Sequence, residues 1–409
     1  MMRKILLTIM VVALGAVASG ATRDVGGDLS LLLQYENHGA NFKDLNGNRI
    51  SNVLAYVKAQ GWTSIRVRLF VDPSNASSED KGEGVCQDLA YVKQLGAKIK
   101  ANGLKFMLDF HYSDSWADPL QQYTPAAWAS LSESELQAKV YEYTTDCLQQ
   151  LKAVGATPDF IQIGNEIAYG MLWGVQGGTL QKCNANSGTS EWARFSALLI
   201  QASRACREQC PDAKIIVHHD RGNEATTLYN FYSKAINNGV DFDVIGLSYY
   251  PFYRGNLPSL DTAIERLVQA FPAKEIMIVE TGYYHKWQPS NPDYDYSWLY
   301  PISHDGQAKY ARDLVAHMSI YDNVTGIYWW WAEANEYGLN WNTQRVTDAW
   351  YNAGLWDNET GKVLPALFEL QNFVTGSSGS GSGVPNDIDG DSQVDVNDVV
   401  VLAGIVMGN

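Results

Sequence analysis

Basic residues are in short supply: thirty Lys and Arg stand against forty-five Asp and Glu, for a formal charge of -15. A surface of that sign repels phosphate backbones, which speaks against nucleic acid as a partner and suits neutral or cationic ligands. Cysteine is scarce too. The five thiols (Cys86, Cys147, Cys183, Cys206, Cys210) are scattered and odd in number, with no paired metal-ligand spacing, which speaks against a zinc site. They read as buried thiols, alone or with one or two disulfides, and no partner motif makes any of them a nucleophile. Cys206 and Cys210 share a helix face without that showing a bond. No Gly-rich phosphate loop follows an early strand, which weighs against a doubly wound dinucleotide-binding sheet. Past the first twenty residues no apolar run is long enough to span a bilayer.

What is present begins with a leader. Residues 1–20 carry Arg3 and Lys4, the apolar run Ile5 to Val17, and small residues around Ala16-Val17-Ala18 and Gly20-Ala21. That is the pattern of a cleaved secretory signal. No Cys follows it to take a lipid, so the expectation is a secreted protein, extracellular or periplasmic. The 409 residues leave room for one large domain, 21–375, and an appendage. Gly376 to Gly383 is a Gly/Ser tract that opens a flexible linker over 376–386. In residues 387–409, Asp387, Asp389, Asp391, Asp395 and Asp398 fall on positions one, three, five, nine and twelve of a calcium loop, with Val399 to Met407 as the following helix. The plainer alternative is an acidic, solvated tail.

Between leader and linker, strand and helix patterns alternate. Apolar residues at helical spacing run from Asn48 to Gln60 and stop at Gly61, and Ser64 to Val71 then alternates Arg66, Arg68 and Phe70 with Ile65, Val67 and Leu69. Later strands are Leu104 to Phe110, Phe160 to Ile163, Lys214 to Val217, Asp243 to Ser248, Glu275 to Glu280 and Gly326 to Trp331, with helical patterns between them and a last one over about Leu364 to Val374. With a short strand near Asp28, eight strands each precede a helix. The expectation is a (β/α)8 TIM barrel, whose active site forms at the carboxyl ends of the strands.

Two of those strands stop in glutamates, Gly164-Asn165-Glu166 and Val279-Glu280-Thr281. As strands four and seven they lie across the barrel mouth, where two carboxyl side chains can converge on one glycosidic bond. Such a bond needs an acid for the leaving oxygen and, with retention, a carboxylate nucleophile roughly 5 Å away. Arg66 can keep Glu280 ionised, and Asn165 can hydrogen-bond a hydroxyl next to the reacting carbon. Aromatic content of 12%, with thirteen Trp and twenty-three Tyr, adds flat faces of the kind that stack on sugar rings.

The runs Asp109-Phe110-His111-Tyr112-Ser113-Asp114-Ser115-Trp116-Ala117-Asp118-Pro119, Gly164-Asn165-Glu166-Ile167, Gly170-Met171-Leu172-Trp173, Asp241-Phe242-Asp243 with Ser248-Tyr249-Tyr250-Pro251-Phe252-Tyr253, and Val279-Glu280-Thr281 resemble glycoside hydrolase family 53. The resemblance runs in order from about Gly26 to Val374. It implies a retaining arabinogalactan endo-β-1,4-galactanase that needs no cofactor, with Glu166 as acid/base and Glu280 as nucleophile. It places Arg66, His111, Asp114, Asn165, His218 and Tyr250 around the reacting subsite, and Trp116, Trp173 and Trp330 as platforms for galactose rings. His111 and His218 also fit the reading of satisfied core histidines. Some bacterial members hold a calcium in barrel loops.

Three stretches depart from the family pattern. Trp330-Trp331-Ala332-Glu333-Ala334 stands where Trp-Glu-Pro-Ala-Trp is usual, His219 replaces an apolar residue, and Tyr283-Tyr284-His285 follows the nucleophile. They alter the cleft wall and so bear on subsite preference and product length. The tail resembles one half of a dockerin, an EF-hand-like module that docks enzymes on scaffold proteins, although Ser392 stands where calcium loops usually have Gly. Another retaining β-glycanase, such as a mannanase or β-1,3-galactanase, and a non-catalytic carbohydrate-binding protein are the competing functions.

Overall fold

The computed structural model describes residues 22–289 and 291–375. The leader, the linker and the acidic loop with Asp387, Asp389, Asp391, Asp395 and Asp398 lie outside the described residues. The barrel is closed and all its neighbouring strand pairs are parallel: β1 (Asp24–Asp28), β2 (Ser64–Leu69), β3 (Lys105–Phe110), β4 (Phe160–Ile163), β5 (Lys214–His219), β6 (Val244–Tyr249), β7 (Glu275–Thr281) and β8 (Val324–Trp329), with β8 pairing back onto β1. The expected eight-stranded barrel is therefore present. At Gly26 a Cβ would sit 1.8 Å from the Ser64 carbonyl oxygen, so only glycine lets β1 approach β2.

Helices start where their capping residues stand. Asn52 accepts the Ala55 N–H, Asp88 that of Tyr91, and Ser132 with Glu135 forms a capping box. The first barrel helix, expected over Asn48 to Gln60, is consequently shorter, Val53–Ala59. The last is split into Ala366–Leu370 and Asn372–Thr375, and the break turns Phe373 into the core beneath Arg23, 4.8 Å from its ring centroid. All five cysteines are free and four are buried, so none forms a disulfide. Among the described residues no helix is long and apolar enough to cross a membrane.

Because side chains alternate along a strand, each strand feeds two environments. Outward residues such as Ile65, Val67, Ile161, Ile163, Ile245 and Leu247 pack in the main core under the helices. Inward, Met107, Phe160, Ile216, Val244, Met277, Val279 and Tyr328 form an apolar plug. Burying each aliphatic or aromatic side chain there contributes roughly 1.5–3 kcal/mol. Above the plug, toward the carboxyl ends, the inward positions turn polar: Asp28, Arg66, Arg68, Asp109, Gln162, His218 and Ser248, all fully buried.

One irregularity decides the site. Met277 and Val279 point inward, so strict alternation would send Glu280 outward. The registers of β7 on both neighbours slip here: Leu247 pairs with Ile278 but Ser248 with Glu280, and Ile278 pairs with Ile327 but Thr281 with Trp329. This bulge inserts one residue and re-aims the strand. Glu280 therefore joins the mouth, while the Thr281 hydroxyl bonds Tyr310 on the helix His304–Met318 outside the barrel.

Candidate active site

At the end of β4 the chain turns sharply. Gly164 has φ 106°, and Glu166 itself adopts a left-handed conformation (φ 46°, ψ 50°). For a residue with a Cβ this costs of order 1–3 kcal/mol and needs outside support. His218 Nδ1 accepts the Glu166 N–H (3.2 Å), and the Gln122 amide donates to the Asn165 carbonyl (2.7 Å). With Nδ1 accepting, the neutral His218 ring carries its proton on Nε2 and donates to Ser248 Oγ (2.8 Å). Ser248 in turn donates to Glu166 Oε1 (2.7 Å). Burial, the Arg66 guanidinium above all other charges, holds the His218 pKa well below its ordinary value, so it serves as a fixed donor.

Glu280 has a different setting. Arg66 Nη2 lies 2.8 Å from its Oε1, and the Tyr250 hydroxyl donates to Oε2 (3.2 Å). The same guanidinium meets Asp28 (3.0 Å), Asp109 (2.8 Å) and the Asn165 Oδ1 (2.9 Å). Arg68 is the second cation, on Asp28 at 3.2 Å. Burial pushes the Glu280 carboxyl up to about 7; Arg66 opposes this, while Asp109 and Asp28 add to it. Glu166 is also raised well above its ordinary value. Burial comes first, then the charges of Glu280 and Asp220, and the Ser248 bond works against them. Of the two acids, Glu280 is therefore the one held against a cation, which favours its ionised form. Ser248→Ala removes the group that eases Glu166 ionisation, so the alkaline limb of the kcat/KM profile is expected to move to higher pH, with kcat down tenfold or less.

Both carboxyls open into one cleft of about 500 Å³. One wall is tryptophan: Trp116, Trp330 and Trp331, with the Arg68 guanidinium 5.0, 4.8 and 4.8 Å from their ring centroids. The aromatic lining continues through Trp350, which meets Trp330 at 6.4 Å and 85°, to Tyr250 and Tyr253, and Tyr284 stacks on Trp350 at 5.8 Å and 16°. Beside the tryptophan wall, Glu333 is fully buried and accepts the Leu31 N–H (2.6 Å). Burial and then Asp28 push its carboxyl up to about 8. A folded-state value above the unfolded one of about 4.3 gives stability that is complete below that pH and is lost as pH rises toward 8. Glu333→Gln, which keeps the shape of the neutral acid, should leave Tm unchanged near pH 4 and raise it above that of the wild type increasingly between pH 5 and 8.

The residues expected around the reacting subsite separate into layers. Asn165, Tyr250, Trp116 and Trp330 line the cleft with Glu166 and Glu280. Arg66, His111 and His218 are fully buried behind it. His111 accepts the Ala117 N–H (3.1 Å) while Asn165 donates to the Ala117 carbonyl (2.7 Å), so together they clamp the loop that carries Trp116. Two expectations need correction. Asp114 stays off the cleft, because its carboxylate is engaged by the Asp72 and Ala126 N–H groups and the Asn75 amide. Trp173 is no platform: it is fully buried, its indole donates to the Tyr169 carbonyl (2.8 Å), and Lys182 covers its ring at 4.1 Å. Sequence reasoning missed Ser248 as the partner of Glu166, Asp28, Asp109 and Gln162 as partners of Arg66 and His218 behind the acids, and Trp331 and Trp350 in the walls. Ser248 and Asp109 stood inside recognised motifs; Trp350 carries no local signal. Among the described residues no group of three or more His, Cys, Asp or Glu assembles to hold a metal, so no barrel-loop calcium site is identified.

A pair of acids with unlike surroundings, set in an aromatic cleft at the carboxyl mouth of a (β/α)8 barrel, defines a glycoside hydrolase. The model of glycosyl hydrolase family 53 matches residues 24–370, and the chain belongs to that family. It is 29% identical over 387 residues to an endo-β-1,4-galactanase of Bacillus subtilis, covering 86% of each chain. With an arabinogalactan endo-β-1,4-galactanase of Thermothelomyces thermophilus it shares 31% over 320 residues, which is 75% of this chain and 88% of the relative. Among solved structures, the family 53 catalytic domain of Ignisphaera aggregans superposes with a TM-score of 0.74 at 31% identity, covering 90% of this chain and 99% of that one.

Proposed function

We propose that the protein is a secreted endo-β-1,4-galactanase that cuts the galactan side chains of pectin by double displacement, with retention at the anomeric carbon. The observation that carries this reading is the unlike setting of the two acids: Glu166 bonds a neutral hydroxyl, while Glu280 is held against a guanidinium. The names of the galactanase relatives supply the bond type. Glu166 protonates the leaving oxygen as a Glu280 oxygen attacks the anomeric carbon, forming a glycosyl-enzyme. Glu166, now a carboxylate, takes a proton from water, which displaces Glu280 and restores both acids. Asn165 has one amide hydrogen beyond its bond to Ala117 with which to hold the neighbouring sugar hydroxyl. No cofactor enters these steps.

Pure protein incubated with linear β-1,4-galactan should release galacto-oligosaccharides whose first-formed reducing ends are β by proton NMR. No release sinks the proposal, and preferential cleavage of mannan or β-1,3-galactan would move it to another glycanase. The leader supports export, and the acidic repeat is read as a calcium loop that docks on a scaffold protein; calorimetry of the full chain with calcium tests the latter.

A further inference from the structure

Beside the catalytic cleft lies a smaller cavity of about 150 Å³ between the loops after β4 and β5, walled by Tyr169, Asn184, Asn186, His219, Arg221 and Glu224. Arg221 lines both spaces and forms the partition. On the small side its Nη1 pairs with Glu224 (2.5 Å) and its Nη2 donates to the Tyr169 hydroxyl (3.0 Å); toward the cleft its Nε lies 3.8 Å from Asp220. Reckoned at the ~30 Å³ that a water occupies in the liquid, the space holds roughly five waters, the scale of one sugar unit.

His219 follows His218 at the end of β5 but takes no part in the network of the two acids. Its side chain is 1% exposed. Nδ1 accepts the Arg221 N–H (3.1 Å), so the neutral ring carries its proton on Nε2, and Nε2 has no partner. The Phe231 ring stands nearly perpendicular to it, with centroids 4.8 Å apart. A buried donor without an acceptor costs about 1–3 kcal/mol, which an apolar side chain at this place would not incur. Burial, reinforced by Arg221 and Arg254, pushes the His219 pKa down to about 3, so it stays a neutral donor. Around it stand amides, a carboxylate and an aromatic face, the group types that bond hydroxyls and cover a sugar ring. The Glu224 carboxylate disfavours an anionic ligand, and Arg221 a cationic one.

We propose that this cavity is a side subsite for one neutral sugar residue, with His219 Nε2–H donating to a sugar hydroxyl. The inference rests on reading the main cleft as a polysaccharide site. The residue has two possible sources: a single-sugar branch on the main chain, or a unit of the main chain beyond the cleft.

The test uses Thr227→Trp, which fills the cavity from the first turn of the helix Ala225–Asn237, and His219→Leu, which deletes the donor but keeps an apolar contact with Phe231. Each is compared with the wild type by kcat/KM on galactotetraose, long linear galactan and arabinose-branched galactan, after Tm shows that the variants are folded. Both variants should match the wild type on the tetrasaccharide. A loss of fivefold or more on the branched polymer alone identifies the branch, and a loss on both polymers identifies the main chain. Unchanged values throughout mean a cavity that holds only water, and equal losses on all three substrates mean a structural role; either result overturns the subsite. If the wild type cleaves no galactan, the reading of the cleft falls and takes this one with it, whereas active variants indistinguishable from the wild type sink the subsite alone.

Discussion

Glu280→Gln should abolish turnover on every galactoside, whereas Glu166→Ala should abolish it only where the leaving group needs a proton. The first variant removes the atom that forms the covalent bond, and a loss on the order of 10⁴ or more in kcat is expected on any substrate. The second removes general acid catalysis, worth about 10²–10⁴-fold on the polymer. An aryl β-galactoside with a strongly acidic phenol departs unaided, so Glu166→Ala should still form its glycosyl-enzyme quickly. It should then stall for want of a base, giving a burst of phenol followed by slow turnover. The folds should survive both changes. Glu280→Gln leaves Asp28 and Asp109 facing Arg66 and Arg68, a balanced set of buried charges, and Tm should hold or rise. Glu166→Ala deprives the Ser248 hydroxyl of its acceptor, a loss of about 1 kcal/mol. Equal losses for Glu166→Ala on polymer and aryl substrate would refute the division of roles.

That division was only partly legible in the sequence. Eight strand patterns, most closed by a glycine or a polar residue, gave the barrel, and positions four and seven gave the pair of acids. Alternation alone would have turned Glu280 out of the mouth, since Met277 and Val279 already face inward; the bulge that rescues it depends on pairing with β6 and β8, which no single strand reveals. Depth was equally hidden. Asn165, which lines the cleft, and Arg66 and His218, which lie behind it, all read as polar residues near strand ends, and only the packed mouth separates wall from support. Aromatics on long loops are harder still. Trp173 and Trp350 look alike in sequence, yet Lys182 covers one while the other, held by Tyr284, faces the cleft.

The supports matter because the polar layer carries more charge than a barrel interior tolerates unpaired, and Arg66 is its centre. Arg66→Gln should leave Asp28, Asp109 and Glu280 buried with Arg68 as their remaining cation, a loss of roughly 3–5 kcal/mol. The deficit should be greatest at alkaline pH, where Glu280 is fully charged, and should shrink as falling pH protonates it. Catalysis should respond separately. Arg66 opposes the burial that pushes Glu280 up to about 7, so its removal raises that value further and the acid limb of kcat/KM moves to higher pH. A second substitution, Asp109→Asn, distinguishes the two effects. In the Arg66→Gln background it removes one uncompensated charge and should recover part of the lost Tm, and because Asp109 also raises Glu280, it should draw the acid limb only part of the way back. If Arg66→Gln leaves the acid limb in place, Arg66 serves the fold alone and the ionisation of Glu280 must be explained by other groups.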